Sequence, residues 1–120
     1  MVKNLLLVAV GGAVGSVLRY VLANTNASFP WGTFSVNILG SLSIGLLVGL
    51  VSKGILSPEM KLLLVTGFCG GFTTFSTFAN ESFGMMKAGD MLLTALYVGA
   101  SVVVGIIAVW GGMMLSKLFG

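Results

Sequence analysis

Gly67-Phe-Cys-Gly-Gly-Phe-Thr-Thr-Phe-Ser-Thr-Phe78 places three glycines, five hydroxyl or thiol residues and four phenylalanines in twelve positions. It is a poor continuous helix. Yet it lies inside an apolar run from Leu62 to about Phe83, long enough for the roughly 20 residues a membrane-spanning helix needs. Gly70-Gly71 followed by Thr73-Thr74 therefore predicts a spanning helix broken near 70–75. Such a break is tolerated at mid-membrane only where the freed carbonyls and amides are buried in protein or meet an ion. The two half-helices aim their dipole ends at the gap. Freed carbonyl oxygens suit a small hard cation, whereas amides and hydroxyls suit a small hard anion.

Composition points to the same solvent. The 120 residues are 57% hydrophobic and 8% charged, with a mean hydropathy of +1.10. Nine charged side chains (Lys3, Arg19, Lys53, Lys61, Lys87, Lys117, Glu59, Glu81 and Asp90) cannot cover a soluble domain of this length, so the bilayer faces most of it. The net charge of +3 is scattered singly, with no cluster able to track a phosphate backbone, which argues against nucleic acid. With no histidine, one cysteine and three acids, a His-based triad, a usual zinc site and an internal disulfide are excluded. The expectation is a protein that is not an enzyme.

Three further apolar runs flank the first: Leu5 to Leu22, Phe34 to Val51 and Met91 to Leu115. The separators Asn24–Gly32, Ser52–Glu59 and Lys87–Asp90 carry turn chemistry and read as surface loops. Ser57-Pro58-Glu59 and Asp90 suit helix starts. These runs predict a single four-helix transmembrane domain over 1–120, with spans at about 4–23, 32–52, 58–86 and 90–117. Lys3 precedes the first run as in a signal peptide, but Gly11-Gly-Ala-Val-Gly15 sits inside the apolar stretch, so a retained span is expected. Four spans put both termini on one side. Lys3, Lys53, Lys61 and Lys117 fall on that side against Lys87 and Arg19, a faint positive-inside bias that suits insertion both ways.

Glycines recur at helical spacing, as Gly11 and Gly15, Gly45 and Gly49, and Gly67 and Gly71, and read first as close helix packing. Asn37, Ser41, Gly45 and Gly49 form one face. Polar groups within spans say more, because hydrocarbon penalises them unless they face protein or water. Asn37 lies about a turn inside its span, whereas Arg19 lies near an end and is equally compatible with snorkelling. Thr94, Tyr97, Ser101 and Gly105 form a stripe, either a hydrophilic lining or interhelical glue. Phe75 and Phe78 share a face that suits ordinary packing, but ring edges carry the positive end of the quadrupole and can meet an anion without a fixed charge.

On these motifs the chain resembles the Fluc (CrcB) family of bacterial fluoride channels over essentially its whole length. Gly11-Gly-Ala-Val-Gly-Ser-Val-Leu-Arg-Tyr20 is similar to the family's first-span motif, Gly32-Thr-Phe-Ser-Val-Asn-Ile-Leu-Gly40 to its second, and Gly67 through Phe78 to its third. The resemblance implies an all-α membrane protein, four helices per subunit with the third broken, paired as an antiparallel (dual-topology) homodimer in the bacterial inner membrane. It implies two pores and passive export of fluoride from the cytoplasm, conferring fluoride resistance. By motif, Phe75 and Phe78 match the pore phenylalanines, Asn37 the pore-facing asparagine, and Ser76, Thr77, Tyr97 and Ser101 the polar track. Gly70 and Thr73 match positions whose backbone carbonyls hold a structural Na+ on the dimer axis, and Arg19 matches an arginine of vestibule or structural role. Glu81 also fits the pattern but carries no assigned role.

Two rival readings share the four spans. A small dual-topology multidrug transporter needs a membrane-embedded acid, and only Glu81 is available within a span. A purely structural subunit explains the glycine faces but not the third span.

Overall fold

The computed structural model describes residues 1–24, 26 and 29–119. Among these the chain is helical throughout, with no strand. In chain order the elements are α1 (Val2–Ala23), α2 (Trp31–Ser52), α3 (Pro58–Lys61), a wide-wound π-helical stretch (Leu62–Cys69), α4 (Gly70–Phe72), α5 (Phe75–Lys87) and α6 (Met91–Ser116). Four helical stretches, Val2–Ala23, Trp31–Ser52, Pro58–Lys87 and Met91–Ser116, are long and apolar enough to cross a membrane. The protein is a multi-pass membrane protein. Its outside is correspondingly oily: Leu5, Leu6, Val10, Ile106 and Trp110 are all exposed, while the buried apolar set is small (Val36, Cys69, Phe72, Tyr97 and Ala108).

The helix ends obey local chemistry. Ser57 Oγ accepts from the Met60 amide at 3.2 Å with Pro58 at the first helical position, and Asp90 Oδ1 accepts from the Leu93 amide at 3.3 Å, as their sequence suggests. α2 and α5 end in Schellman turns. After α5, Gly89 N donates to Met86 O and Asp90 N to Met85 O, with Gly89 at φ +82°; after α2, Gly54 repeats the pattern at φ +74°. Lys53 then reaches over to α6, its Nζ donating to Ser116 O at 2.8 Å and Phe119 O at 2.7 Å. A cation on the last carbonyls of a helix meets the negative end of its dipole. In the Asn24–Gly32 separator, Thr25, Ala27 and Ser28 lie outside the described residues.

Glycine decides which helices meet. α1 lies on the first half of the third span: a Cβ on Gly11 would collide with the Leu63 carbonyl, one on Gly15 with the Phe68 carbonyl, and one on Gly71 with Gly12. α2 lies on α6 in the same way, with Gly45 against the Val109 carbonyl and Gly112 against the Leu42 carbonyl. Without a hydrophobic drive between helices in lipid, such backbone contact is what dispersion and weak hydrogen bonding require. The packing reading of the spaced glycines holds.

Within the third span the helical dihedral angles stop for two residues. Thr73 has φ −83° and ψ 157°, and Thr74 φ −149° and ψ 122°, both extended. The stretch ahead, Leu62–Cys69, is bonded with five-residue spacing, as in Gly70 N to Val65 O. That winding was not anticipated from the residues. π-helical segments recur at functional sites because they re-aim the groups that follow.

Candidate functional site

The two extended threonines reroute the backbone hydrogen bonds. In a continuous helix Thr74 N would donate to Gly70 O, Phe75 N to Gly71 O and Thr77 N to Thr73 O. Instead Thr74 N donates to Asn37 Oδ1 at 2.9 Å, and Thr77 N donates to Thr74 Oγ1 at 3.3 Å, which makes Thr74 the N-cap of α5. The Gly71 carbonyl takes Arg19 Nε at 3.1 Å. Thr73 stays tied behind it, its amide and hydroxyl both donating to Cys69 O at 3.0 and 2.9 Å. The carbonyls of Gly70 and Thr73 are thereby released from their helical donors.

Asn37 clamps the interruption from α2: besides accepting from Thr74 N, its Nδ2 donates to Thr74 O at 3.1 Å. Beside it opens a cleft of about 300 Å³ lined by Asn37, Ser41, Ile44, Thr73, Thr74, Phe75, Phe78, Ser101 and Val102. Among the described residues no charged side chain lines it. Ser41 Oγ donates to Asn37 O at 2.7 Å, whereas the Ser101 hydroxyl has no hydrogen-bond partner among the described residues. The Phe75 and Phe78 rings lie 5.9 Å apart, tilted by 51°, and Phe75 is 78% exposed.

The cleft thus gathers Asn37, Thr73, Phe75, Phe78 and Ser101, and leaves other sequence-selected residues around it. Thr77 takes a hydrogen bond from Thr74 Oγ1 at 3.2 Å, Ser76 Oγ lies 3.5 Å from the same hydroxyl, and Arg19 serves the Gly71 carbonyl. Thr94, on the α6 stripe, is buried and returns its hydroxyl to Asp90 O. Tyr97 is completely buried, its ring 5.0 Å from Phe78, and its hydroxyl donates to Glu81 Oε1 at 2.9 Å.

That last bond opens on a group the sequence reading did not assemble. Glu81 Oε2 accepts from Thr33 Oγ1 at 2.9 Å and from Asn26 Nδ2 at 3.0 Å, while Asn26 Oδ1 accepts from Thr33 N at 3.1 Å. Glu81 and Asn26 also line a second hollow, of about 340 Å³, with Asp90. Four-residue spacing carried the signal for Thr33, which continues the stripe of Asn37 and Ser41 by one turn. Nothing in the sequence points Asn26 at Glu81.

Four apolar spans, an interrupted third span and a cleft lined by hydroxyl-bearing, amide and aromatic side chains define a small polytopic membrane protein. The chain belongs to the CrcB-like protein (Camphor Resistance, CrcB) family, whose model matches residues 6–113. It is similar to proteins named fluoride-specific ion channel FluC: 48% identical to that of Chlorobaculum tepidum (99% of this chain, 98% of the relative) and 50% to that of Agrobacterium fabrum (95% and 96%). A third, from Phocaeicola vulgatus, is 46% identical over 96% of this chain and 99% of its own.

Proposed function

We propose that the chain is one subunit of a passive, fluoride-selective channel that exports F⁻ across the bacterial inner membrane and so confers fluoride resistance. The observation that carries this reading is the uncharged cleft at the interruption, lined by Asn37, Phe75, Phe78 and Ser101, in a chain whose named relatives are fluoride channels. Fluoride is small and tightly hydrated, so a path must replace water with donors and ring edges at close range. The Ser101 hydroxyl, which has no partner among the described residues, the amide end of α5 and, in this reading, the edges of the lining rings Phe75 and Phe78 are such groups. A larger anion such as chloride gains less from them. Undissociated hydrogen fluoride enters, dissociates in the neutral cytoplasm, and the anion leaves down its gradient without energy coupling.

The assembly is an antiparallel, dual-topology homodimer of single-domain subunits with two pores, each lined by both chains. An exposed Phe75 beside a cleft open on one side supports a second copy as its other wall. In this reading the third span is a helix broken at mid-membrane. The Gly70 and Thr73 carbonyls, two hard oxygens per subunit without helical donors, fit a structural Na⁺ on the dimer axis. The ion would be coordinated by those neutral carbonyl oxygens, taking the place of the helical donors they lack, and would tie the two interruptions together. Asn37 shapes the pore by holding Thr74, with Ser76, Thr77 and Tyr97 continuing the polar track, and Arg19 secures the first half-helix at Gly71. The multidrug-transporter alternative lacks support: Glu81, the acid it needs, does not line the cleft and is bonded to three neutral donors.

The test is fluoride efflux from liposomes containing the purified protein, followed by electrode, with chloride as comparator. Fluoride efflux no faster than from empty liposomes, or equal chloride efflux, rules the function out. Tagging both termini tests the topology, and a population inserted one way only refutes the antiparallel pair.

A further inference from the structure

Tyr97 stands between two hollows: its ring packs on Phe78, which lines the cleft, and its hydroxyl bonds Glu81, which lines the second hollow. The Glu81 carboxylate is therefore coupled to the cleft through one side chain. Three elements set its position, with Tyr97 of α6 on Oε1 and Thr33 of α2 and Asn26 of the α1–α2 loop on Oε2. Asn26 donates to Glu81 and accepts from the Thr33 amide at the start of α2, and its Nδ2 also donates at 3.2 Å to Thr33 Oγ1, the hydroxyl that itself donates to Glu81, so it holds both the carboxylate and the other donor on Oε2.

We propose that Asn26 is a positioning residue for ion passage: its side-chain amide pins Glu81 Oε2, holding the carboxylate's charge against the loop and leaving Oε1 to orient the Tyr97 hydroxyl beside Phe78. The proposal rests on the channel reading. A carboxylate free to turn toward an anion path repels the permeating ion, and a Tyr97 released from Glu81 no longer presents one fixed hydroxyl direction. Phe29 of the same loop packs edge-on to the Tyr97 ring at 5.3 Å, so the loop touches both ends of the Glu81–Tyr97 pair.

Asn26→Asp separates this role from helix capping. The isosteric aspartate keeps an oxygen for the Thr33 amide but replaces the donor facing Glu81 with a second carboxylate. The expected result is a folded protein, unchanged by gel filtration, whose fluoride efflux from liposomes falls at least tenfold. The swapped pair Asn26→Asp with Glu81→Gln restores an amide facing a carboxylate, and its efflux should equal that of Glu81→Gln alone. Asn26→Asp efflux within twofold of the parent overturns the proposal, and so does a double variant whose loss is the product of the two single losses. The parent measured alongside keeps the readings apart: a parent without fluoride efflux refutes the channel, whereas a conducting parent with an equally conducting Asn26→Asp refutes only the role of Asn26.

Discussion

Asn37→Ala removes both arms of the clamp on Thr74, the acceptor at 2.9 Å and the donor at 3.1 Å. Each hydrogen bond contributes about 1 kcal/mol net, and leaving the part-buried Thr74 amide without a partner adds about 1–3 kcal/mol of uncompensated desolvation. Water entering from the adjoining cleft offsets part of this. The expected loss of stability is about 2–3 kcal/mol. The amide has one other acceptor within the chain's own logic, the Gly70 carbonyl, and taking it would straighten the helix through Thr73 and Thr74 and remove the cleft's wall. Fluoride efflux should fall with stability. Unfolding in mixed micelles followed through Trp31 and Trp110 gives the first quantity, and liposome efflux the second. Asn37→Asp is the companion: it keeps an oxygen for the Thr74 amide but turns another onto the Thr74 carbonyl and brings a negative charge to an anion path, so its efflux should fall further than that of Asn37→Ala. A stability change under about 0.5 kcal/mol for Asn37→Ala, with efflux unchanged, would show that the clamp does not hold the interruption.

Phe75→Ile and Phe78→Ile should each leave a folded protein with severely reduced fluoride efflux, since an aliphatic side chain has no ring edge; if the rings only fill space, the cost is about 1–2 kcal/mol of stability with transport intact. Gly45→Ala and Gly112→Ala force α2 and α6 apart and should cost about 1–3 kcal/mol in the micelle assay, whereas Gly99→Ala, with nothing near its Cβ, should be neutral or slightly stabilising; equal effects at all three would contradict the packing. Lys53→Ala should speed tryptic cleavage after Lys117, read by mass spectrometry, because the carbonyls of Ser116 and Phe119 lose their donor. Thr73→Ser should be mild, since the proposed sodium site uses backbone oxygen and the substitution removes only a methyl group packed against Gly40.

The four apolar helices and their caps were legible because hydrocarbon imposes a rule that acts locally: every spanning backbone group must bond within its own segment, so length, apolarity and punctuation suffice. The family was legible because three ordered motifs occupy a short chain. Spacing also announced Gly11, Gly15, Gly45 and Gly71 as packing residues, though not their partners. What the residues could not show is where released backbone groups go, because that depends on side chains far away in the chain: Asn37 reaches Thr74, Arg19 reaches Gly71, and Asn26 reaches Glu81 across 55 positions. By itself the sequence determined that the third span resists a regular helix and that the polar residues within spans need protein, water or an ion to meet them. Only the tertiary structure decided that the helical dihedral angles stop at Thr73 and Thr74 and that Tyr97 bonds Glu81 and does not line the cleft. An amide or carboxylate in low dielectric must find its donors and acceptors wherever packing brings them, and packing is set by the whole chain at once.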